Sequence, residues 1–487
     1  MNNLLIAATW AGYALLLLWI SRRAKGHDAL LPGKVGVLVQ AFAYMATYIS
    51  AVALVGFGGL CHKYGLQMLL VAAGNVWLGT WFVYRYLAWP TRLFQKKYNA
   101  QTPAQLLSAA YGSVPLQVFL GAISAILLVV YGSAVFKGAA LIIAGVLPIS
   151  VNAAMAVLVL VVGLSVIWGG LRGVLYTEAL QGFIMLVGVL TLLYAVFRVV
   201  GGPVNGLRAL SLLEPTADAN RGFLSLASGK QGMSVLSLAL VTSVGIWAQP
   251  QLIQRHFALS SKADATRVAP LAVFALVVVV GGMYFASALS RLVLGPEITN
   301  PDIVVPTLVH TLLPSLGQQL FALAIVSASL STASALLHIA SGSLWKDVLR
   351  LKTEGRQALV AWRCTVAVSA LGCGLFAAKS SSIIALICTT SWSLLAAGTL
   401  VPYLSLLAFG PRVSGRRALL SSVGGVAACL SWYFIGYEGT AQQLSGIAAP
   451  GIWGMIPPIV IGTLCSAALF YIPVAVRDTG FVGAKEI

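Results

Sequence analysis

Charge is what this sequence has least of. Asp and Glu total 12 and Lys and Arg 30 among 487 residues, so charged side chains make up only 9%. A water-soluble chain carries roughly a quarter, and so thin a supply cannot cover a water-facing surface. A soluble globular protein is thereby excluded. Cysteine is scarce too: the six (Cys61, Cys364, Cys373, Cys388, Cys429 and Cys465) are scattered with no CxxC or Cys/His pairing. Neither a metal site nor a disulfide scaffold is expected, and they read as small buried hydrophobes in the reduced state. No basic residue precedes the first apolar run, Leu4 to Ile20, and no small-residue cleavage site ends it. A retained anchor helix is expected there rather than a removable signal peptide.

Hydrocarbon is what the sequence has in abundance. It is 59% hydrophobic, in runs of about 18 to 25 residues, the length that crosses a bilayer core of about 30 Å. Hydropathy marks about thirteen spans, at 3–20, 37–60, 65–88, 114–147, 150–169, 174–200, 232–252, 267–290, 317–345, 360–378, 381–409, 418–436 and 453–473. The chain is therefore expected to be an all-α integral membrane protein. Its parts are an anchor helix and inward loop (1–36), a first five-helix unit (37–200), an outer loop (201–231), a second unit (232–409), and C-terminal helices with a short tail (410–487). Basic residues gather in alternate loops: Arg22, Arg23, Lys25 and Lys34; Arg85, Arg92, Lys96 and Lys97; Arg172; Arg255, Lys262 and Arg267; and further groups near 346–363, 412–417 and 477–485. That bias places the N-terminus outside and the C-terminus in the cytoplasm, in a cell (inner) membrane. It also accounts for the net charge of +18 by topology and lipid contact, with no nucleic-acid partner. Loops 201–231 and 291–316 read as connections that could also act as lids over an outer vestibule.

Polar groups are costly in hydrocarbon, so the few inside spans are where function is sought. Glu178 is an acid inside a confident span; it is either neutralised by Arg172 or part of a cation path. Lys137, in Tyr131-Gly132-Ser133-Ala134-Val135-Phe136-Lys137, either snorkels to the interface or serves as a counter-ion to an anionic solute or another helix. The stretch from Ser327 to His338 is rich in hydroxyls, with Ala328, Ser331, Thr332 and Ala335 on one helical face. Small residues there suit close packing, and two hydroxyls with free carbonyls suit a sodium ion. His338 reads as a hydrogen-bonded core residue. Two spans look breakable, at Ala46–Ala51 before Gly56-Phe57-Gly58-Gly59 and at Gly245 with Pro250. They lie five spans apart, and paired interrupted helices at matching positions point to a transporter site. No His/Asp/Ser or metal-spaced cluster falls at one membrane depth, so an enzyme is not expected.

At this point the residues resemble the sodium/solute symporter family, which includes sodium/proline, sodium/glucose and sodium/sialic acid carriers. The run Gly169–Gln181 resembles that family's GG-x-x-A-V-x-x-T-D-x-x-Q signature. Ser327–Leu337 resembles its S-T-x-S-x-L-L stretch, Trp247–Arg255 its G-Q-P-x-x-I-x-R stretch, and Ala46–Ala51 its A-x-x-hydrophobic-S-A stretch. Thr102-Pro103 with Tyr111-Gly112 is similar to the loop that follows. The resemblance implies a LeuT-type 5+5 inverted repeat with broken first helices plus flanking helices. It implies a sodium site at Ala46, Ile49, Ala328, Ser331 and Thr332, and a possible second cation or release path at Glu178 and Ser334. It further implies a solute pocket drawn from Ser50, Ala53, Asn75, Trp77, Tyr131, Lys137, Thr242, Ile246, Ser391 and Ser393. The polar side chains that sugar carriers place at the positions of Ala53 and Gly74, and their aromatic at Gly245, are missing. The expected function is thus Na+-coupled import of a small solute, a monocarboxylate or amino acid in preference to a sugar, by alternating access. A proton-coupled carrier using Glu178 and a non-transporting sensor with a separate signalling partner are the alternatives. Oligomeric state is left open, a monomer included.

Overall fold

The computed structural model describes residues 3–472 apart from 25, 27, 227, 352–353, 380–383 and 448–450. The tail after Pro473 and the basic residues Lys25 and Lys352 lie outside those described residues. Among the described residues every regular element is helical. Eight helices are long and apolar enough to cross a membrane, or nine when the pair 232–248 and 250–256, bent by 55°, counts as one.

The first half runs α1 (Asn3–Arg23), α2 (Val37–Tyr48), a π-helical turn Val52–Phe57 and α3 (Gly58–Tyr64). Then come α4 (Leu69–Val76), π-helical Trp77–Leu87, α5 (Ala88–Tyr98), α6 (Pro103–Tyr111), α7 (Val114–Val146) and α8 (Val151–Val200). Two apolar stretches, Val52–Tyr98 and Val151–Val200, hold 47 and 50 residues, about 70 and 75 Å as straight helix, over twice a bilayer core. Each is divided where only glycine is comfortable. Gly65 has φ +69°, and Gly170 has φ 54° with ψ −158°. The divisions fall between the spans that hydropathy separates at 60/65 and 169/174. Local chemistry sets the short connections: the Thr102 hydroxyl accepts the Gln105 N–H at the start of α6 with Pro103 behind it, and Gly112 closes that helix left-handed.

The second half comprises α9 (Pro203–Ser211), α10 (Gly229–Ser243), a 3-10 turn Gly245–Ala248, α11 (Pro250–His256) and α12 (Lys262–Leu276). After these come α13 (Gly282–Leu294), α14 (Pro301–Leu312), α15 (Ser315–Ser343), α16 (Gly355–Lys379) and α17 (Ile384–Phe409). Then α18 (Gly415–Ile435), α19 (Ala441–Ser445) and α20 (Pro458–Tyr471) complete the chain. At the centre stands α15, buried at every residue from Ala324 to Ser343 and packed along both α7 and α8. The all-round burial explains why its sequence lacks a polar face. Helix α2 crosses α8 and α12, and α1 lies along α8.

The two loops read as candidate lids dock on the end of α3. The Leu66 N–H donates to the Phe223 carbonyl at 2.9 Å, and α14 packs against α3. The exposed pair Lys63–Asp218, 3.5 Å apart, adds little to that attachment.

At the opposite end, which carries Lys96, Lys262 and Lys346 and is called here the basic end, the segment 28–31 threads into the bundle. The Ala29 carbonyl meets His338 Nε2 at 2.8 Å and accepts the Leu171 N–H, also at 2.8 Å. Leu30 is fully buried, and its carbonyl accepts from Gln254 at 3.3 Å. His338 is thus the core residue its sequence context suggested. Gly170 is part of this arrangement: a Cβ there would lie 2.9 Å from Ala29 backbone atoms. Gly170→Ala is expected to cost about 1–3 kcal/mol from backbone strain and crowding together. The loss should be read as a clear fall in melting temperature of the detergent-purified protein.

Candidate functional site

The first break is where the sequence places it. Helix α2 stops at Tyr48, and Ile49 is extended at φ −102°, ψ 112°. The Ile49 N–H bonds back to Met45, while the Ala53 and Leu54 N–H groups bond to Ser50 at the start of the resumed helix. The carbonyls from Ala46 to Ile49 are therefore left without amide partners of their own helix among the described residues. Such groups survive in a membrane only where another element or a ligand satisfies them.

Helix α15 supplies that partner. The Ser331 hydroxyl lies 2.7 Å from the Ala46 carbonyl and 3.0 Å from the Ala328 carbonyl, and Thr332 Oγ1 is 3.1 Å from the same Ala328 oxygen. Four of the five oxygens expected to hold sodium thus form one hydrogen-bonded cluster, with buried Ile49 at the break beside it. The set is uncharged and oxygen-only, the donor chemistry that suits a hard monovalent cation. Ser334 is turned inward on its own helix, donating to the Ser331 carbonyl at 2.9 Å.

Glu178 has a different partner from the one its sequence neighbourhood suggests. Its Oε1 is 2.6 Å from Arg255 Nη2, with both side chains buried at 0% and 3% exposure. Arg255 Nε also reaches Thr47 Oγ1 at 3.2 Å. Arg172 instead stacks over Tyr176, 5.9 Å from its ring. Arg255, counted above among the basic loop residues, is in fact an interior residue. The bend at Gln249, extended at φ −73°, ψ 119°, starts α11 and turns that side chain inward. The bridge ties α2, α8 and α11 together one residue from the Ala46 carbonyl. Charge spacing along the chain gave no hint of it.

The residues expected to bind solute are gathered only in part. Ser50, Ala53, Asn75, Tyr131, Thr242, Ile246, Ser391 and Ser393 are all buried, on the elements that meet around the two breaks. Tyr48 bridges them, its hydroxyl donating to the Thr242 carbonyl at 2.6 Å. Ser243 Oγ is 3.3 Å from Asn75 Oδ1, and Tyr433 donates to Ser393 at 3.1 Å. Ser393 also lines a cavity of about 760 Å³ with Leu60, Tyr64, Val241 and Thr389. Among the described residues the cavity is bordered by 437–439 and 451–458, not by the two loops read as lids. Lys137 is half-buried further along α7. Trp77 does not join the set. It opens the π-helical stretch and is 57% exposed on the outer surface, on the side of the helix away from buried Asn75 two residues earlier.

Two residues that sequence reasoning passed over belong to this region. Gln249 sits in the second break and donates to the Trp392 carbonyl at 3.1 Å. Trp392 is edge-on to Tyr131 at 5.8 Å between ring centres. The Gln-Pro pair inside the break was the available signal for the first. The glycines at 74 and 245 are packing positions as well. A Cβ on Gly74 would meet Ser243 Oγ at 2.3 Å, and one on Gly245 would meet Ile459 at 2.9 Å.

Comparison with known proteins gives the family and the fold. Residues 30–425 match the sequence profile of the sodium:solute symporter family. The sodium/pantothenate symporter of Haemophilus influenzae is 29% identical over 315 residues, 64% of this chain. That match spans 63% of the relative's length, under two thirds of it. The high-affinity proline transporter PutP of Bacillus subtilis is 23% identical over 440 residues, 87% of this chain and 90% of that one. A solved structure of a Na+-coupled sialic acid symporter, substrate-bound and outward-open, superposes with a TM-score of 0.74 at 15% identity. It covers 96% of this chain and 98% of that one. The shared fold is the LeuT type.

Proposed function

This chain belongs to the sodium:solute symporter family, and from that premise we propose that it imports a small carboxylate-bearing solute together with sodium by alternating access. The solute is a monocarboxylate or an amino acid in preference to a sugar. The observation that carries the reading is the contact, at 2.7 Å, of Ser331 with the Ala46 carbonyl that the break in α2 frees. It joins an uncharged oxygen cluster on α15 to the unwound end of α2. A sodium ion in that cluster, held by the carbonyls of Ala46, Ile49 and Ala328 and the hydroxyls of Ser331 and Thr332, would replace the hydrogen bonds that now link the two helices.

In this reading the ion fixes α2 against α15, and the resumed helix at Ala51 offers its first amides to a carboxylate. Ser50, Tyr131, Thr242 and Ser393 surround that position, and the basic end faces the cytoplasm, closed by the 28–31 segment. Coupling needs each ligand to raise the other's affinity, typically by about 1–3 kcal/mol. A carboxylate is common to the solutes for which the pantothenate and proline relatives are named. The packing at Gly74 and Gly245 argues against sugar, because no side chain fits there to meet hydroxyls. Proton coupling through Glu178 has less support, as Arg255 already balances that carboxylate.

A thermal-shift screen of the purified protein against small acids, amino acids and sugars, with and without sodium, tests this. Carboxylate-bearing solutes should raise the melting temperature, and more so with sodium present, the shift growing with the logarithm of concentration over affinity. Uptake into proteoliposomes driven by a pH gradient, with no sodium requirement, would overturn it.

A further inference from the structure

The surface that Trp77 faces is concave. A cavity of about 610 Å³ lies between the 77–90 stretch and α12, lined along its length by Trp77, Trp81, Trp89 and Phe274 and carrying Arg85 and Lys262. Trp77 is 57% exposed, Trp81 39% and Phe274 61%. The cavity therefore opens outward from the bundle, on helices long and apolar enough to span the membrane, and not toward the broken helices. From Lys262 to Phe274 helix α12 rises about 18 Å, close to the roughly 15 Å depth of one leaflet's hydrocarbon.

Two features separate this groove from an ordinary belt of interfacial aromatics. First, the tryptophans build walls: Trp77 and Trp81 meet edge-to-face at 6.2 Å between ring centres. Second, two cations, Arg85 and Lys262, share one end of this apolar wall. Arg85 is exposed within the apolar stretch Val52–Tyr98, its guanidinium resting 5.4 Å from the Tyr86 ring. Among the described residues neither Arg85 nor Lys262 forms an ion pair. A lipid-facing cation without a protein partner calls for an anion from the lipid side.

We propose that this groove is a binding site for an anionic phospholipid of the leaflet at the basic end. The phosphodiester lies between Arg85 and Lys262, and one acyl chain runs along the tryptophan-lined wall toward Phe274. Basic pockets between spans on the cytoplasmic side are suited to such headgroups. The guanidinium offers paired donors to two phosphate oxygens, and Lys262 adds a point charge. The apolar length of the groove selects a whole lipid over a free phosphate.

The test is a titration of the full chain in neutral detergent with phosphatidylglycerol, phosphatidylcholine of the same chain length, and glycerol 3-phosphate. Retained ligand is read by native mass spectrometry. Phosphatidylglycerol should bind about thirtyfold tighter than phosphatidylcholine, and each of Arg85→Gln and Lys262→Gln should remove about fivefold of that preference. The charge-keeping exchange Arg85→Lys with Lys262→Arg should retain it. Trp77→Ala with Trp81→Ala should weaken both lipids alike. Equal retention of the two lipids by the native chain would overturn the proposal. So would an undiminished preference after both neutralising changes, its loss in the charge-keeping variant, or displacement by glycerol 3-phosphate at matched concentration.

Discussion

Replacing Ser331 and Thr332 together by alanine is expected to abolish sodium-dependent uptake at ordinary sodium concentrations. The sodium needed for half-maximal rate should rise by a hundredfold or more. Each hydroxyl would contribute one oxygen to a bound ion, and an interaction of a polar group with a charge is worth about 1.5–3 kcal/mol. Two such losses amount to about 3–6 kcal/mol, or about two to four orders of magnitude. The structural cost is smaller. Thr332 bonds only within its own turn, while Ser331 also reaches Ala46, so a fall of about 1–3 kcal/mol in stability accompanies the change. Ser329, equally buried and bonded to Ile325 of its own helix, is the matched control: Ser329→Ala should keep its sodium dependence. A double variant that melts normally and still requires the usual sodium would sink the site assignment.

The second large effect is expected at the bridge between Glu178 and Arg255. Removing either charge alone strands the other at a position with no more than 3% exposure, which typically costs about 3–5 kcal/mol. Arg255→Gln or Glu178→Gln should therefore give poorly folded protein of sharply lowered melting temperature. Neutralising both, as Glu178→Gln with Arg255→Gln, removes the stranded charge and should recover much of that loss. The double-mutant cycle should thus show strong coupling between the two positions. If the two single costs simply add in the double variant, the pair contributes nothing as a pair.

How much of this could be read from the sequence follows from the range over which each cause acts. The breaks at Ile49 and Gln249 were legible because their causes are local: Gly and Pro near the break, and polar residues in an apolar run. The division at Gly169-Gly170 was legible as two spans for a similar reason. Pairing across 77 residues was not. Nothing near Arg255 says that a bend will turn it inward, and nothing near Glu178 says that Arg172 will prefer Tyr176. Trp77 was assigned to the pocket by the resemblance alone, whereas helical geometry puts it about 200° around from buried Asn75, on the face that is exposed.

The 28–31 segment grips its neighbours through main-chain oxygens: Ala29 holds His338 and Leu171, and Leu30 holds Gln254. A clasp of that kind is tolerant of spelling but strict about counting. Conservative exchanges at 29 that keep the backbone path would leave it fastened, whereas one residue inserted between Ala29 and Leu30 would pull one of the two carbonyls off its partners. Tags, hinges and spectroscopic labels placed ahead of α2 therefore belong before α1, where added length slides nothing.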